Sequence, residues 1–346
     1  MDIKNNVSLA DFSTMHLGGT AAHLTTVHSR MELLEALSWA QTNGELPVIM
    51  IGGGSNIVWR DEGFPGLVIV NAIGRYEVFE EDDDNIYVTV GAGENWDSVV
   101  ARTVEAGYSG LEFLSLIPGL AGATPIQNVG AYGQEVSKLL VTVEAFDREA
   151  KDFVTIPASE CGFGYRLSRF NSTDRGRFYI TAATFHLTRA NPVAPFYATL
   201  QTYLDEQHIT AFTPRTIREA VIAIRSARLP DPALVHNNGS FFANPIVPRE
   251  VVEKLSFDYG KFPYWAVGNG AYKLSAAWLI QQTGFKDYHD PETGMATWPA
   301  QPLVLVNESA KSTADLLKFK QKLVDAVAAK FGITLVQEPE LLPATL

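Results

Sequence analysis

"LPVIMIGGGSNIVW", residues 46–59, is the stretch on which the reading of this chain turns. An apolar, β-branched run ends in Gly52, Gly53 and Gly54, passes through the polar Ser55 and Asn56, and becomes apolar again. A strand that stops in glycines can turn its backbone N–H groups outward, because no side chain intervenes and positive φ costs little. The loop therefore suits an anion such as phosphate. It lacks the lysine of a Walker loop and does not follow the G-x-G-x-x-G dinucleotide pattern. "VGAGENW", residues 90–96, breaks that pattern too, since Trp96 takes the last glycine position. For this loop alone, a glycine-rich turn without a ligand is an even alternative.

The segments around the loop place it at a strand end. "AAHLTTV" reads as a strand, "MELLEALSWAQTNG" as an amphipathic helix stopped by Gly44, and "LPVIMIGG" as the next strand, which makes a β-α-β opening. "GLVIVNA", "YEVFEED" and "NIYVTVGAG" follow as strands, with the acidic run from Glu80 to Asp84 at a solvated hairpin tip. "WDSVVARTVEAG" has helical spacing, whereas "GLEFLSLIPGLAGATPIQNVGAYGQEV" is too rich in Gly and Pro for a regular element. "LLVTVEAFD", "DFVTIPA" and "RFYITAATFHL" read as further strands of one mixed sheet. The texture changes near Asn191, a helix begins at "PRTIREAVIAIRSARL", and a domain boundary is expected close to Phe212. The remainder holds a helix at "AAWLIQQTG", a strand at "PLVLVNES" and a long helix from Thr313 to Phe331 whose lysines form a solvated face.

Composition narrows the function classes. A chain of 346 residues with 46% hydrophobic content can bury a sizeable core in two or three domains. Its 39 acidic and 27 basic residues give a net charge of -12, which disfavours nucleic acid and anionic lipid as general partners. The single cysteine, Cys161, excludes an internal disulfide framework and a cysteine-rich zinc site, and fits a reducing compartment. The opening "MDIKNNVSLADF" has no export-signal pattern, and no apolar run reaches the roughly 20 residues of a membrane span. A cytoplasmic protein is expected. Seven histidines form no His-x-x-x-His or mixed His/Cys cluster, so no metal is expected, and no G-x-S-x-G elbow points to a hydrolase.

The glycine loop has echoes in "HLGGTA", in "GAG" at 91–93 and in "IPGLAGATPIQNVGAYG" at 117–133. Four such sites suggest one long ligand lying along exposed backbone with a pyrophosphate in its middle, and FAD would fit. Together with "CGFGYRLSRF", "RLPDP", "NNGSFFANP", "AAWLIQQTGFKD", "LVLVNES" and "EPEL", these stretches resemble the UDP-N-acetylenolpyruvoylglucosamine reductase (MurB) family, in its longer type with a tyrosine loop. The resemblance runs from about His16 to Glu340. It implies an α+β chain: an FAD-binding domain of the vanillyl-alcohol-oxidase (PCMH) type over 1–211, then a smaller α+β substrate domain over 212–346 whose last residues return to the active site. It further implies that NADPH reduces non-covalently bound FAD, and that the flavin reduces UDP-N-acetylglucosamine enolpyruvate to UDP-N-acetylmuramate, the second committed step toward peptidoglycan. A monomer is the default.

By the same resemblance Gly52, Gly53, Gly54, Ser55 and Asn56 cradle the FAD pyrophosphate, and Gly119, Ala121, Gly122, Thr124, Gln127, Asn128, Gly130 and Ala131 line the rest of the cofactor. Reduction of an enol ether leaves negative charge beside a carboxylate, which calls for a cationic clamp and a proton donor. Arg166 stands in the place of the family's arginine, with Arg169 as its neighbour and competitor. Ser240 matches the serine acid, although a serine after glycine is otherwise a turn residue. Glu340 matches the C-terminal glutamate and is expected to work protonated, with Glu338 two positions away as the alternative. Tyr203, Arg228, Asn244, Tyr264, Lys273 and Gln301 occupy positions of substrate contacts; many members carry lysine at Arg228, and Gln301 is the loosest match. His236, beside the serine loop, is read as a local hydrogen-bonding residue. Two rivals stand beside this reading: an FAD-dependent oxidase of the same fold group, and a non-catalytic flavin or nucleotide-sugar binder.

Overall fold

The computed structural model describes residues 1–344. Two compact units divide the chain and interleave along it. The first comprises Met1–Val7, Ala21–Gly53 and Phe64–Ala227; the second comprises Ser8–Thr20, Gly54–Gly63 and the chain from Arg228 onward.

In the first unit the parallel strands Thr20–Val27, Phe64–Asn71 and Val48–Ile51 form a sheet edged by Lys4–Ser8. The crossover helix Arg30–Thr42 starts at Ser29, whose side chain accepts from Glu32 N–H, and buries Leu33, Ala36 and Ala40. A second sheet, in the order Asp152–Pro157, Leu140–Asp147, Phe178–Leu187, Ile86–Gly91, Tyr76–Glu80, is antiparallel throughout. It replaces the expected single mixed sheet. Its hairpin links are too short for the crossover that parallel pairing demands, as where Glu81 N–H donates to Asn85 O at 3.0 Å across the acidic tip. Helix Trp96–Glu105, capped by Asn95, lays Trp96, Val99, Val100 and Val104 under this sheet.

The division also differs from the boundary expected near Phe212. Helix Pro214–Arg228 buries Ile217, Ala220, Val221 and Ile224 against Leu200 and Leu204 of helix Ala198–Glu206, so its apolar face belongs to the first unit. In the second unit, Met15, Leu17 and Val58, from early in the chain, join Phe241, Phe242, Leu305, Leu316, Phe319 and Leu323 in one core. The sheet there runs Asn237–Ser240, Gln301–Asn307, Met295–Trp298, His289–Asp290. Helix Thr313–Phe331 begins with a capping box between Ser312 and Asp315 and ends at left-handed Gly332. No helix among the described residues is long and apolar enough to cross a membrane.

Asp97, in the first turn of helix Trp96–Glu105, fixes the approach to the Gly/Pro-rich segment. Its carboxylate takes both prongs of Arg218 at 2.6 and 2.9 Å and the N–H of Leu116 at 2.5 Å. Burial pushes this carboxyl up, but the Arg218 and Leu116 hydrogen bonds and the charges of Arg218 and Arg225 outweigh burial and hold it below its ordinary value. Stability from a depressed carboxyl is present above the unfolded value near ~3.9 and is lost as pH falls through the folded one. Asp97→Asn should therefore cost about 2 kcal/mol near neutral pH, with the gap to wild type narrowing in acid. Urea unfolding at neutral and acidic pH checks this, and a gap of equal size at both would contradict it.

Candidate active site

The first unit delivers the front of the glycine loop from the C-terminal end of strand Val48–Ile51. A Cβ on Gly52 would sit 3.6 Å from the Leu120 side chain, and one on Gly53 would sit 3.4 Å from Gly119 Cα; neither residue is left-handed. These are ordinary contacts, so the chain's own packing does not require glycine at either position. The bare backbone there is free to meet an outside group. Gly122 is the opposite case, because a Cβ there would lie 2.4 Å from Ala92 Cβ. It serves internal packing.

Residues 119–124 are stitched down by the main chain. Gly119 O accepts from Trp96 N–H at 3.1 Å, Ala121 N–H donates to Glu94 O at 2.9 Å, and Gly122 N–H donates to Ala92 O at 3.0 Å. Ala121, Gly122 and Thr124 are buried, and Thr124 Oγ1 donates to Ala121 O at 2.8 Å, while Gly119 stays half-buried. Downstream, the buried Asn128 adopts φ 46 and shapes its loop from inside: its Oδ1 accepts from Ser137 N–H at 3.0 Å and its Nδ2 donates to Gly164 O at 3.0 Å. Gln127, Gly130 and Ala131 are half-buried, with Gly130 and Ala131 paired to Glu135 and Gln134.

Arg166 belongs to this loop. Its Nη2 donates to Gly130 O at 2.8 Å and its Nη1 to Asn128 O at 3.4 Å, from a left-handed backbone at φ 53. Arg169 is committed elsewhere, to Asp174 Oδ2 at 2.6 Å and Glu160 O at 3.2 Å. Tyr203 lies half-buried on helix Ala198–Glu206, packed on the same Leu200 and Val221 cluster as Tyr132, the residue after Ala131. Tyr132, which meets Tyr197 edge to face at 6.2 Å, was not singled out from sequence.

The second unit receives the rest of the loop and joins it to two distant stretches. Gly54 is left-handed at φ 71, and a Cβ there would lie 2.4 Å from Phe12 O. Thr14 N–H donates to Gly54 O at 3.1 Å, and Thr14 Oγ1 donates to Asn237 O at 2.6 Å. Strand Asn237–Ser240 lies antiparallel to Gln301–Asn307 with Ser240 opposite Val304. Phe241 N–H donates to Leu303 O at 2.8 Å on one side, and Glu338 N–H donates to Phe241 O at 2.9 Å on the other. Strand Glu340–Leu342 then runs parallel to Ile57–Trp59, with Glu340 N–H donating to Asn56 O at 2.9 Å. Main-chain bonds thus bring half-buried Ser55 and Asn56, exposed Ser240 and half-buried Glu340 into one constellation.

The substrate candidates of this unit fall into two groups. Lys273 faces Trp265 across strands Tyr264–Gly268 and Ala271–Leu274, its Nζ 5.8 Å from the ring centroid, and Tyr264 stands one residue along on the same sheet. Asn244 is nearby in the chain, its Oδ1 accepting from Ala276 N–H at 2.9 Å. Gln301 opens its strand opposite Trp298, whose Nε1 donates to the main-chain oxygen of exposed Arg228 at 3.0 Å. His236 stacks on His16 with ring centroids 4.0 Å apart; burial and that neighbour push its pKa down. Burial pushes the Cys161 thiol up to about 11, so it is no nucleophile near neutral pH.

A strand that ends in outward-facing glycine backbone, in a chain of mixed helices and sheets, is what an FAD-binding α+β oxidoreductase presents. A family model described as an FAD binding domain matches residues 21–151, and one described as the UDP-N-acetylenolpyruvoylglucosamine reductase C-terminal domain matches residues 231–342. The UDP-N-acetylenolpyruvoylglucosamine reductase of Thermobifida fusca is 40% identical over 99% of this chain and 98% of its own length. That of Chromobacterium violaceum is 37% identical over 99% of both. The crystal structure of the Thermus caldophilus enzyme (MurB) superposes with a TM-score of 0.67 at 25% identity, covering 99% of this chain and all of that one. The chain belongs to the UDP-N-acetylenolpyruvoylglucosamine reductase family.

The two kinds of glycine predict opposite phenotypes. Gly53→Ala should fold with wild-type thermal stability yet hold FAD at least ~10-fold more weakly, equivalent to about 1.4 kcal/mol. Gly122→Ala should lose about 1–3 kcal/mol of stability through overpacking. Thermal melts and FAD titration of both variants would expose an inverted pattern, which would sink the assignment.

Proposed function

We propose that this chain catalyses the NADPH-dependent reduction of UDP-N-acetylglucosamine enolpyruvate to UDP-N-acetylmuramate, as a monomer in the cytoplasm, on the route to peptidoglycan that underlies cell-wall growth, shape and division. The observation that carries the reading is the joining of residues 54–57, Ser240 and Glu340 by main-chain hydrogen bonds in a chain of this family.

The residues present fit FAD. Gly52 and Gly53 offer backbone without a steric reason of their own to be glycine, and with Gly54, Ser55 and Asn56 they would hold the pyrophosphate. Gly119, Gln127, Gly130 and Ala131 have accessible surface with which to meet the rest of the cofactor, whereas Ala121, Gly122, Thr124 and Asn128 hold the loops in shape from beneath. FAD held there would supply the two-electron carrier between NADPH and the enolpyruvyl group.

What the chain itself supplies is charge and a proton. Arg166, fixed by Gly130 O and Asn128 O, clamps the substrate carboxylate and the negative charge that grows beside it. Ser240 gives its Oγ proton to the neighbouring carbon. A hydroxyl is a weak acid in water, but a carbanion is a strong base, so the transfer runs downhill once the group is placed. Glu340, held by its main chain against Asn56, is the third member of the catalytic set. Tyr203, Arg228, Asn244, Tyr264, Lys273 and Gln301 hold the nucleotide sugar. An oxidase of small alcohols would have no need of Arg166, Ser240 and Glu340 together.

Ser240→Ala should leave bleaching of the flavin by NADPH within about twofold of wild type and slow its reoxidation by the enolpyruvyl sugar by roughly 10²–10⁴-fold. Anaerobic stopped-flow spectra of each half-reaction separate the two. Equal slowing of both would remove Ser240 from the role of proton donor.

A further inference from the structure

Asn238 lies within the second unit, two residues before Ser240, with its side-chain nitrogen among four acceptors. Nδ2 reaches Thr14 Oγ1 at 3.1 Å, Ile57 O at 3.2 Å, and Gly54 O and Ser55 O at 3.4 Å each. Thr14 Oγ1 spends its own proton on Asn237 O, so it too presents lone pairs to Asn238. Rotating the amide by half a turn would set its oxygen against all four, which fixes the orientation. The oxygen, Oδ1, is then fully buried and has no hydrogen-bond partner.

An unsatisfied buried oxygen costs free energy that an apolar side chain of the same volume would not. The position is explained by what the nitrogen does. It draws the carbonyls of Gly54 and Ser55 toward itself, and because the C=O and N–H of a trans peptide point in opposite directions, the N–H groups of Ser55 and Asn56 are turned away from Asn238. Those belong to the last two peptides of the loop, residues 52–56, that is read as facing the anion. We infer that Asn238 is a positioning residue that sets the anion-facing peptides of the glycine loop and, through its own strand, the placement of Ser240, so that cofactor binding and proton delivery share one anchor. This rests on the reading that residues 52–56 hold FAD and that Ser240 gives the proton.

The test exchanges donors for acceptors at constant shape. In Asn238→Asp, an ionised carboxylate would face four acceptors and release the loop, while the protonated acid would donate again; those surroundings favour the neutral form, so its titration is displaced upward from the ordinary acid range. FAD affinity is measured by flavin fluorescence quenching for wild type, Asn238→Asp, Asn238→Ala and Asn238→Ser at about pH 8 and about pH 5.5. Asn238→Asp should bind FAD ~10-fold more weakly than wild type at the higher pH and recover to within about twofold at the lower. Asn238→Ala should be weakened by a similar factor at both, and Asn238→Ser, which keeps one donor, should fall between it and wild type. With saturating FAD, Asn238→Ala should also slow flavin reoxidation by the enolpyruvyl sugar more than reduction by NADPH.

An Asn238→Asp protein that matches wild type at both pH values would overturn the inference. So would equal, pH-independent weakening of the aspartate and alanine variants, because the side chain would then act through shape alone. If the aspartate variant does not fold at the higher pH, the serine and alanine pair decides: equal affinities refute the donor role. A wild-type protein that takes up no FAD would remove the cofactor reading before any variant is compared.

Discussion

The hydrogen bonds that radiate from residues 54–57 are the constraint on which the rest depends. Thr14 N–H and Asn238 Nδ2 converge on Gly54 O, Asn56 O receives Glu340 N–H, and Ile57–Trp59 pairs with Glu340–Leu342. Segments drawn from the start, the middle and the end of the chain are thereby fixed to one short turn. The turn itself can make these approaches because Gly54 is left-handed and lies where a Cβ would strike Phe12 O. Remove that packing and neither Ser240 nor Glu340 has a reason to be where it is.

Around this anchor the chemistry is economical in charge. A chain with a net charge of -12 has no general attraction for a dinucleotide or a nucleotide sugar, so binding has to come from aimed backbone dipoles and a few fixed cations. Arg166 shows how such a cation is fixed. Carbonyl oxygens of Asn128 and Gly130 accept from its guanidinium and fix the direction in which it points. Arg169, three residues away, is directed instead to Asp174.

Local signals were legible in the sequence where one residue type settles one local geometry. The long helix beginning at Thr313 carries its own cap at Ser312 and its own stop at Gly332, and the acidic hairpin tip has no other place to be than in water. The front of the glycine loop was legible for the same reason. What the sequence could not convey was non-local. Residues 8–20 and 54–63 read as parts of the first domain because they are early in the chain, but Met15, Leu17 and Val58 pack with Phe241 and Leu323 in the second. Helix Pro214–Arg228 follows a proline-rich break and read as a new domain, although its apolar stripe matches Leu200 and Leu204. Asn238 was missed because an asparagine before glycine reads as a turn residue; only the four acceptors around its nitrogen reveal another task.

The claim at the centre is that one chain binds FAD and passes electrons from NADPH to an enolpyruvyl sugar. The most direct measurement is the visible absorption spectrum of the purified protein under anaerobic conditions, taken before and after NADPH and again after UDP-N-acetylglucosamine enolpyruvate. Flavin bands that bleach with NADPH and return with the enolpyruvyl sugar are the predicted result. A protein that stays colourless when supplied with FAD, or a bleached flavin that recovers only when air is admitted, would contradict the account.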